Sequence, residues 1–105
     1  MSLGDLEQLV MLALMRLDTE GFGAAVQREI HERTGRAVTL GAVYTALARL
    51  EDKEYVASTV GDPLPQRGGR RRRVYQVLPA GRAATAGAYR AMRELARGLR
   101  TQLGS

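Results

Sequence analysis

Four consecutive arginines, Arg70 to Arg73, with Arg67 just ahead of them, are the densest chemistry in the sequence. A guanidinium is a planar fork of donors that fits phosphate and guanine edges and stays charged when partly desolvated. Such a cluster suits a polyanionic partner, or is simply a solvated charge run; what flanks it decides. Upstream lie Thr39, Thr45 and Arg49, whose side chains can hydrogen-bond base edges. Arg49 either reads a base or pairs with Asp52. Tyr44 either donates its hydroxyl to a phosphate or packs beneath neighbouring strands. Charge is split along the chain: residues 1–62 carry 6 basic and 10 acidic side chains, residues 63–105 carry 10 and 1. Fifteen of the 16 basic residues are Arg, with Lys53 the exception.

Other chemistries are poorly served. Without cysteine there is no disulfide, thiolate metal site or thiol nucleophile. His31 is the one histidine, set in a polar stretch with no second ligand, so it reads as a surface residue and no metal site is expected. Gly68-Gly69 lacks the Lys-Ser/Thr of a phosphate loop, and a single Arg67-Gly68-Gly69 reads as a turn. Glu51-Asp52 sit at a helix end without a pocket, and no Ser/His/Asp set can be assembled. Neither catalytic residues nor a cofactor are expected, and the chain does not read as an enzyme. The longest apolar run, Leu9 to Met15, falls well short of the roughly 20 residues that cross a bilayer. It follows Asp5 and Glu7 rather than a basic segment, unlike a signal peptide. A cytoplasmic protein with no membrane partner is the expectation, at 105 residues the size of one domain.

These residues must be carried by a mainly α chain with a small β-hairpin. Apolar residues at 3, 6, 10, 13, 14 and 17 predict a first helix, and Leu9, Met11, Leu12 and Met15 fill its other sides. A helix apolar around most of its circumference needs cover on two sides. Asp18 to Gly21 reads as a turn. A second helix is predicted from about Gly23 to Thr34, with Gly35 as its stop. Thr39 is a good N-cap for a third, whose inward stripe is Leu40, Val43, Leu47 and Leu50. Its outward face, Gly41, Ala42, Thr45, Ala48, Arg49 and Asp52, is small and lightly polar, suited to close approach by another surface. Two strand-forming runs, Tyr55 to Val60 and Val74 to Leu78, flank a polar tip over 63–73. Pro79 opens a final helix to about Leu103, with a narrow seam of Ala88, Met92, Leu95, Leu99 and Leu103 that implies a partner helix.

Gly41-Ala42-Val43-Tyr44-Thr45-Ala46-Leu47-Ala48-Arg49-Leu50-Glu51, Tyr55-Val56, Arg67-Gly68-Gly69-Arg70 and Tyr75 ahead of Pro79-Ala80-Gly81 together resemble the PadR family of bacterial transcriptional regulators. Leu3-Gly4-Asp5-Leu6-Glu7 fits the same pattern. The resemblance implies a winged helix-turn-helix with a C-terminal dimerisation helix, of the short kind with a single terminal helix, acting usually as a repressor. It implies that Tyr44, the helix from Thr45 to Arg49, and Arg70 to Arg73 face DNA. Two positions depart from the family pattern: Glu54 stands where glycine is usual, and Leu78 where threonine would cap the last helix.

Residues 1–78 are thus expected to form a winged helix-turn-helix domain and residues 79–105 a dimerisation helix. The expected DNA contacts are Thr39, Thr45 and Arg49 in the groove, with Tyr44, Arg67, Arg70, Arg71, Arg72 and Arg73 on phosphates. Leu9 and Leu12 would meet Ala88, Met92, Leu95, Leu99 and Leu103 of a second copy in a homodimer on a pseudo-palindromic operator. Some relatives sense small molecules between subunits, so an effector at the dimer interface is a further expectation. The alternative is a dimerisation module whose arginine wing binds RNA or an acidic protein without sequence preference.

Overall fold

The computed structural model describes residues 3–63 and 71–104. Helix α1 (Asp5–Leu17) begins after Gly4, whose N–H donates to Glu7 Oε1 at 2.6 Å. It buries Val10, Met11, Ala13 and Leu14 but leaves Leu12 40% exposed and Leu9 half-buried. Among the described residues α1 is thus covered around most of its circumference, with an edge at Leu9 and Leu12 left open. A 3-10 turn over Asp18–Glu20 leads to α2 (Gly23–Thr34). Gly35 ends α2 in the left-handed region (φ +73), its N–H donating to the His31 carbonyl at 2.9 Å.

Thr39 caps α3 (Leu40–Asp52), its hydroxyl accepting the Ala42 N–H at 3.0 Å. The inward face is Val43, Ala46, Leu47 and Leu50. Leu40, expected on that stripe, is instead 38% exposed, because the first turn of α3 projects beyond the edge of the core. Met11, Val26, Val43, Leu47 and Leu50 are fully buried where α1, α2 and α3 meet, and each such side chain contributes roughly 1.5–3 kcal/mol of burial.

Strands β1 (Val56–Pro63) and β2 (Arg71–Val77) pair antiparallel, with Val56 opposite Val77, Ser58 opposite Tyr75 and Val60 opposite Arg73. A bulge after Val60 lets pairing continue to Pro63 opposite Arg71. The tip expected over 63–73 is accordingly shorter: Arg71 to Arg73 are strand residues, since ladder bonds join backbone groups whatever charge the side chains carry. A bridge between Phe22 and Val74, and the Tyr75 N–H donating to the Gly21 carbonyl at 2.8 Å, fasten the hairpin to the entrance of α2.

Pro79 opens α4 (Pro79–Ala96), and Leu78 supplies no side-chain cap. The first turns of α4 are covered: Gly81 lies against the Tyr55 carbonyl, Thr85 is 2% exposed, and Gln8 Nε2 donates to the Thr85 carbonyl at 3.0 Å. The single helix expected to reach Leu103 ends at Ala96. Gly98 takes φ +83, open to glycine without a Cβ clash, and a short α5 (Arg100–Leu103) follows. Ala88, Met92 and Leu95 remain one continuous seam, whereas Leu99 and Leu103 lie past the break.

Glu54, directly after α3, has φ +61. The departure from glycine noted in the sequence thus falls on a left-handed residue, at a cost of about 1 kcal/mol. Beside it, Lys53 Nζ reaches both Glu7 oxygens at 2.9 Å and joins the end of α3 to the start of α1. Burial is the largest influence on the Glu7 carboxyl and pushes its pKa up. The Gly4 N–H, the Lys53 hydrogen bonds and charge, and the Arg49 charge outweigh it and hold the pKa below the usual carboxylate value.

Candidate nucleic-acid interface

The outward side of α3 is open. Gly41, Thr45, Ala48, Arg49 and Asp52 are exposed, and no Cβ added at Gly41 would meet another atom within 4 Å. Thr39 is exposed too, with its oxygen already accepting from the helix it caps. Thr45 Oγ1 turns back to donate to the Gly41 carbonyl at 3.0 Å. Among the described residues Arg49 forms no ion pair with Asp52; its charge acts on Glu7.

Tyr44 keeps 44% of its surface exposed. Its ring lies over Gly23 at the start of α2, where a Cβ would come within 2.5 Å of Cζ and 2.6 Å of the hydroxyl. Glycine at 23 is what lets this α3 tyrosine lie against α2. Tyr44 also stands close enough to Tyr75 for the two to interact electrostatically. Burial chiefly raises the Tyr75 pKa, Arg73 lowers it, and Glu51 and Tyr44 add to the rise.

On the hairpin, the Arg72 guanidinium lies 4.2 Å from the centroid of Phe22. Arg73 Nη1 donates to Ser58 Oγ at 3.0 Å, and Ser58 in turn donates to Glu51 Oε2 on α3 at 2.7 Å. Both arginines remain exposed, and a guanidinium has five N–H donors, so each is oriented without being exhausted. Arg67 and Arg70 lie outside the described residues, and Arg71 enters only through its backbone pairing with Pro63.

Phe22, Ser58 and Glu51 are the positioning residues the sequence reading missed. Phe22 directly precedes the predicted second helix, and Ser58 lies within a strand-forming run. Their partners lie 50 and 15 positions away, where local spacing carries no signal.

A second open region lies on the opposite side of α1. Two apolar grooves flank its Leu9–Leu12 edge. One of about 630 Å³ runs between α1 and α2 beside Met15 and Ile30, the other of about 600 Å³ between α1 and α4 beside Ala88 and Met92. Met92 is 71% and Leu95 84% exposed on the outer part of α4. Among the described residues no group of three or more His, Asp or Glu could hold a metal, and no helix is long and apolar enough to cross a membrane.

Three helices, a hairpin fastened beside the third, and a projecting terminal helix define a winged helix-turn-helix protein. The family model of the "Transcriptional regulator PadR-like family" matches residues 11–87. The transcriptional regulator Rv3488 of Mycobacterium tuberculosis is 43% identical over 82 residues, spanning 76% of this chain and 70% of that protein. In fold, a PadR family transcription regulator from Clostridium difficile is similar with a TM-score of 0.76 at 22% identity, over 97% of this chain and all of that one. A PadR family regulator from Eggerthella lenta gives 0.73 at 22% identity, over 94% and 86% of the two chains. The chain belongs to the PadR-like family of transcriptional regulators, which are not enzymes.

Proposed function

We propose that the protein is a sequence-specific DNA-binding repressor that acts as a homodimer on a pseudo-palindromic operator. The observation that carries this reading is the Arg73–Ser58–Glu51 chain, which fixes an arginine-bearing strand relative to the open face of α3. A duplex whose major groove receives α3 would meet the hairpin on the adjoining backbone. In this reading residues 1–78 bind DNA, with Thr39, Thr45 and Arg49 in the groove and the Tyr44 hydroxyl on a phosphate. Arg67 and Arg70 to Arg73 supply phosphate contacts and release counterions.

Residues 79–105 pair two copies. The exposed seam of α4, continued by Leu99 and Leu103, covers the Leu9–Leu12 edge of the other copy's α1. Two-fold symmetry then sets the recognition helices about one DNA turn, roughly 34 Å, apart. The groove between α1 and α4 has the volume of a small-molecule site and is where an effector would enter; a thermal-shift screen that never moves the melting temperature removes that part. A cytoplasmic address accompanies the reading.

The test is a salt titration of binding to duplex enriched by the protein from a random pool, against scrambled duplex. A specific regulator prefers the enriched site by about a thousandfold or more. Equal affinity for both, or for RNA, favours the nonspecific alternative. Arg70→Ala with Arg71→Ala should weaken binding to every sequence and flatten the salt slope by up to about two units. Arg49→Ala should relax discrimination instead. If both act alike on operator and random DNA, the division of roles fails.

A further inference from the structure

A recognition helix enters the groove by its first turns, and on α3 those turns present mostly carbon. Leu40 is 38% exposed, although Val43, Leu47 and Leu50 on the same helix are completely buried. Thr45 has its hydroxyl proton committed to the Gly41 carbonyl at 3.0 Å, so toward a partner it offers its methyl and an oxygen that can accept but not donate. Ala48, one turn further, is an exposed methyl and nothing else. Thr39, the other hydroxyl at this end, accepts the Ala42 N–H as the cap and keeps its proton, but it stands before the first turn of the helix. Arg49 is the one exposed guanidinium of α3, and the Tyr44 hydroxyl lies over Gly23 of α2.

In the major groove one base carries an apolar group, the C5-methyl of thymine; every other distinguishing feature is a hydrogen-bond donor or acceptor. Adenine, guanine or cytosine set against Leu40, the Thr45 methyl and Ala48 would lose water from a polar edge and gain no partner there, which is costly. Thymine loses water from a methyl, which is favourable. We infer that α3 selects its half-site through thymine methyl groups, read by Leu40, the Thr45 methyl and Ala48, with Arg49 forking onto a guanine at the far end of the same face.

The inference rests on the DNA-binding reading above, and the experiment separates the two. The probe is the enriched duplex, prepared once with thymidine and once with deoxyuridine, which keeps the hydrogen-bonding edge and removes only the methyl. At one salt concentration, deoxyuridine should weaken specific binding about fourfold for each thymine contacted, the worth of one buried methyl, and leave binding to scrambled duplex unchanged. Leu40→Ala should bring the two probes closer together. Thr45→Val, which keeps the methyl and lacks the hydroxyl, should keep the preference for thymidine over deoxyuridine; Thr45→Ser, the reverse exchange, should narrow it.

Thermal melts of each variant confirm that it is folded, and the partial exposure of Leu40 and Thr45 makes loss of fold unexpected. Equal binding of both probes, with preference over scrambled duplex retained, overturns methyl readout and leaves DNA recognition standing. Loss of binding in Thr45→Val with retention in Thr45→Ser overturns it as well, assigning the contact to the hydroxyl. Failure to enrich any duplex removes both readings together.

Discussion

The two ends of α4 obey opposite packing rules. Near its start, Gly81 and Thr85 are small and covered; a Cβ on Gly81 would run into the Tyr55 carbonyl and come within 2.8 Å of Met11 Cε. Toward its finish, Met92 and Leu95 are large, apolar and bare. Close approach of backbone to backbone needs small residues, whereas large side chains stabilise only if something arrives to cover them. The inner end is thus solved within one chain and the outer end is not. That contrast is the strongest structural support for a second copy.

The largest test of the contrast is on the bare end. Met92→Glu with Leu95→Glu should cost the proposed dimer on the order of 5 kcal/mol of association free energy. Sedimentation at micromolar concentration should then report 11.5 kDa for the variant and twice that for the parent. A parent already at the monomer mass breaks the comparison.

Next come two glycines of the same helix. Gly81→Ala should destabilise by about 3 kcal/mol in urea unfolding, since the clash is partly with backbone. Gly87→Ala, with nothing within 4 Å of its added Cβ, should stabilise by about 0.5–1 kcal/mol through helix propensity. Equal effects would mean the start of α4 is not docked as described.

A smaller effect is expected at Glu54, where Glu54→Gly should relieve the left-handed strain and stabilise by about 1 kcal/mol without altering DNA affinity.

The last test sharpens what covering does to charge. The folded-state pKa of Glu7 is depressed, so its contribution is present above the unfolded-state pKa and is lost as pH falls through the folded one. The stability difference between the parent and Glu7→Gln should therefore shrink from neutral pH into the acid range, as read from urea midpoints. A difference that holds constant assigns the contact to packing alone.

Where chemistry is local, the sequence was a good guide. The Thr39 cap and the Gly35 stop each involve residues within four positions, and both are where the residue types place them. The strained site at Glu54 was legible only through the family pattern, since nothing in its neighbours demands a positive φ. Leu40 misled because an apolar stripe tells which side of a helix faces inward, not where the core ends along its axis. The same limit hid the break at Gly98: the heptad-like spacing runs on through a glycine that a helix tolerates. At the interface, residue types located the arginines, but the Phe22 ring beneath Arg72 and the Ser58–Glu51 path to Arg73 exist only once the hairpin folds over α2 and α3.

The one lysine has a consequence for how this surface can be controlled. Lys53 is held by both oxygens of Glu7, its side chain only 16% exposed, and every other basic residue is an arginine. Acetylation, which silences lysine, therefore finds no side-chain amine on the binding face to neutralise. Arginine methylation would block the forks yet preserve their charge. On the proposed reading, the electrostatic pull on a nucleic acid therefore lies beyond the reach of lysine modification.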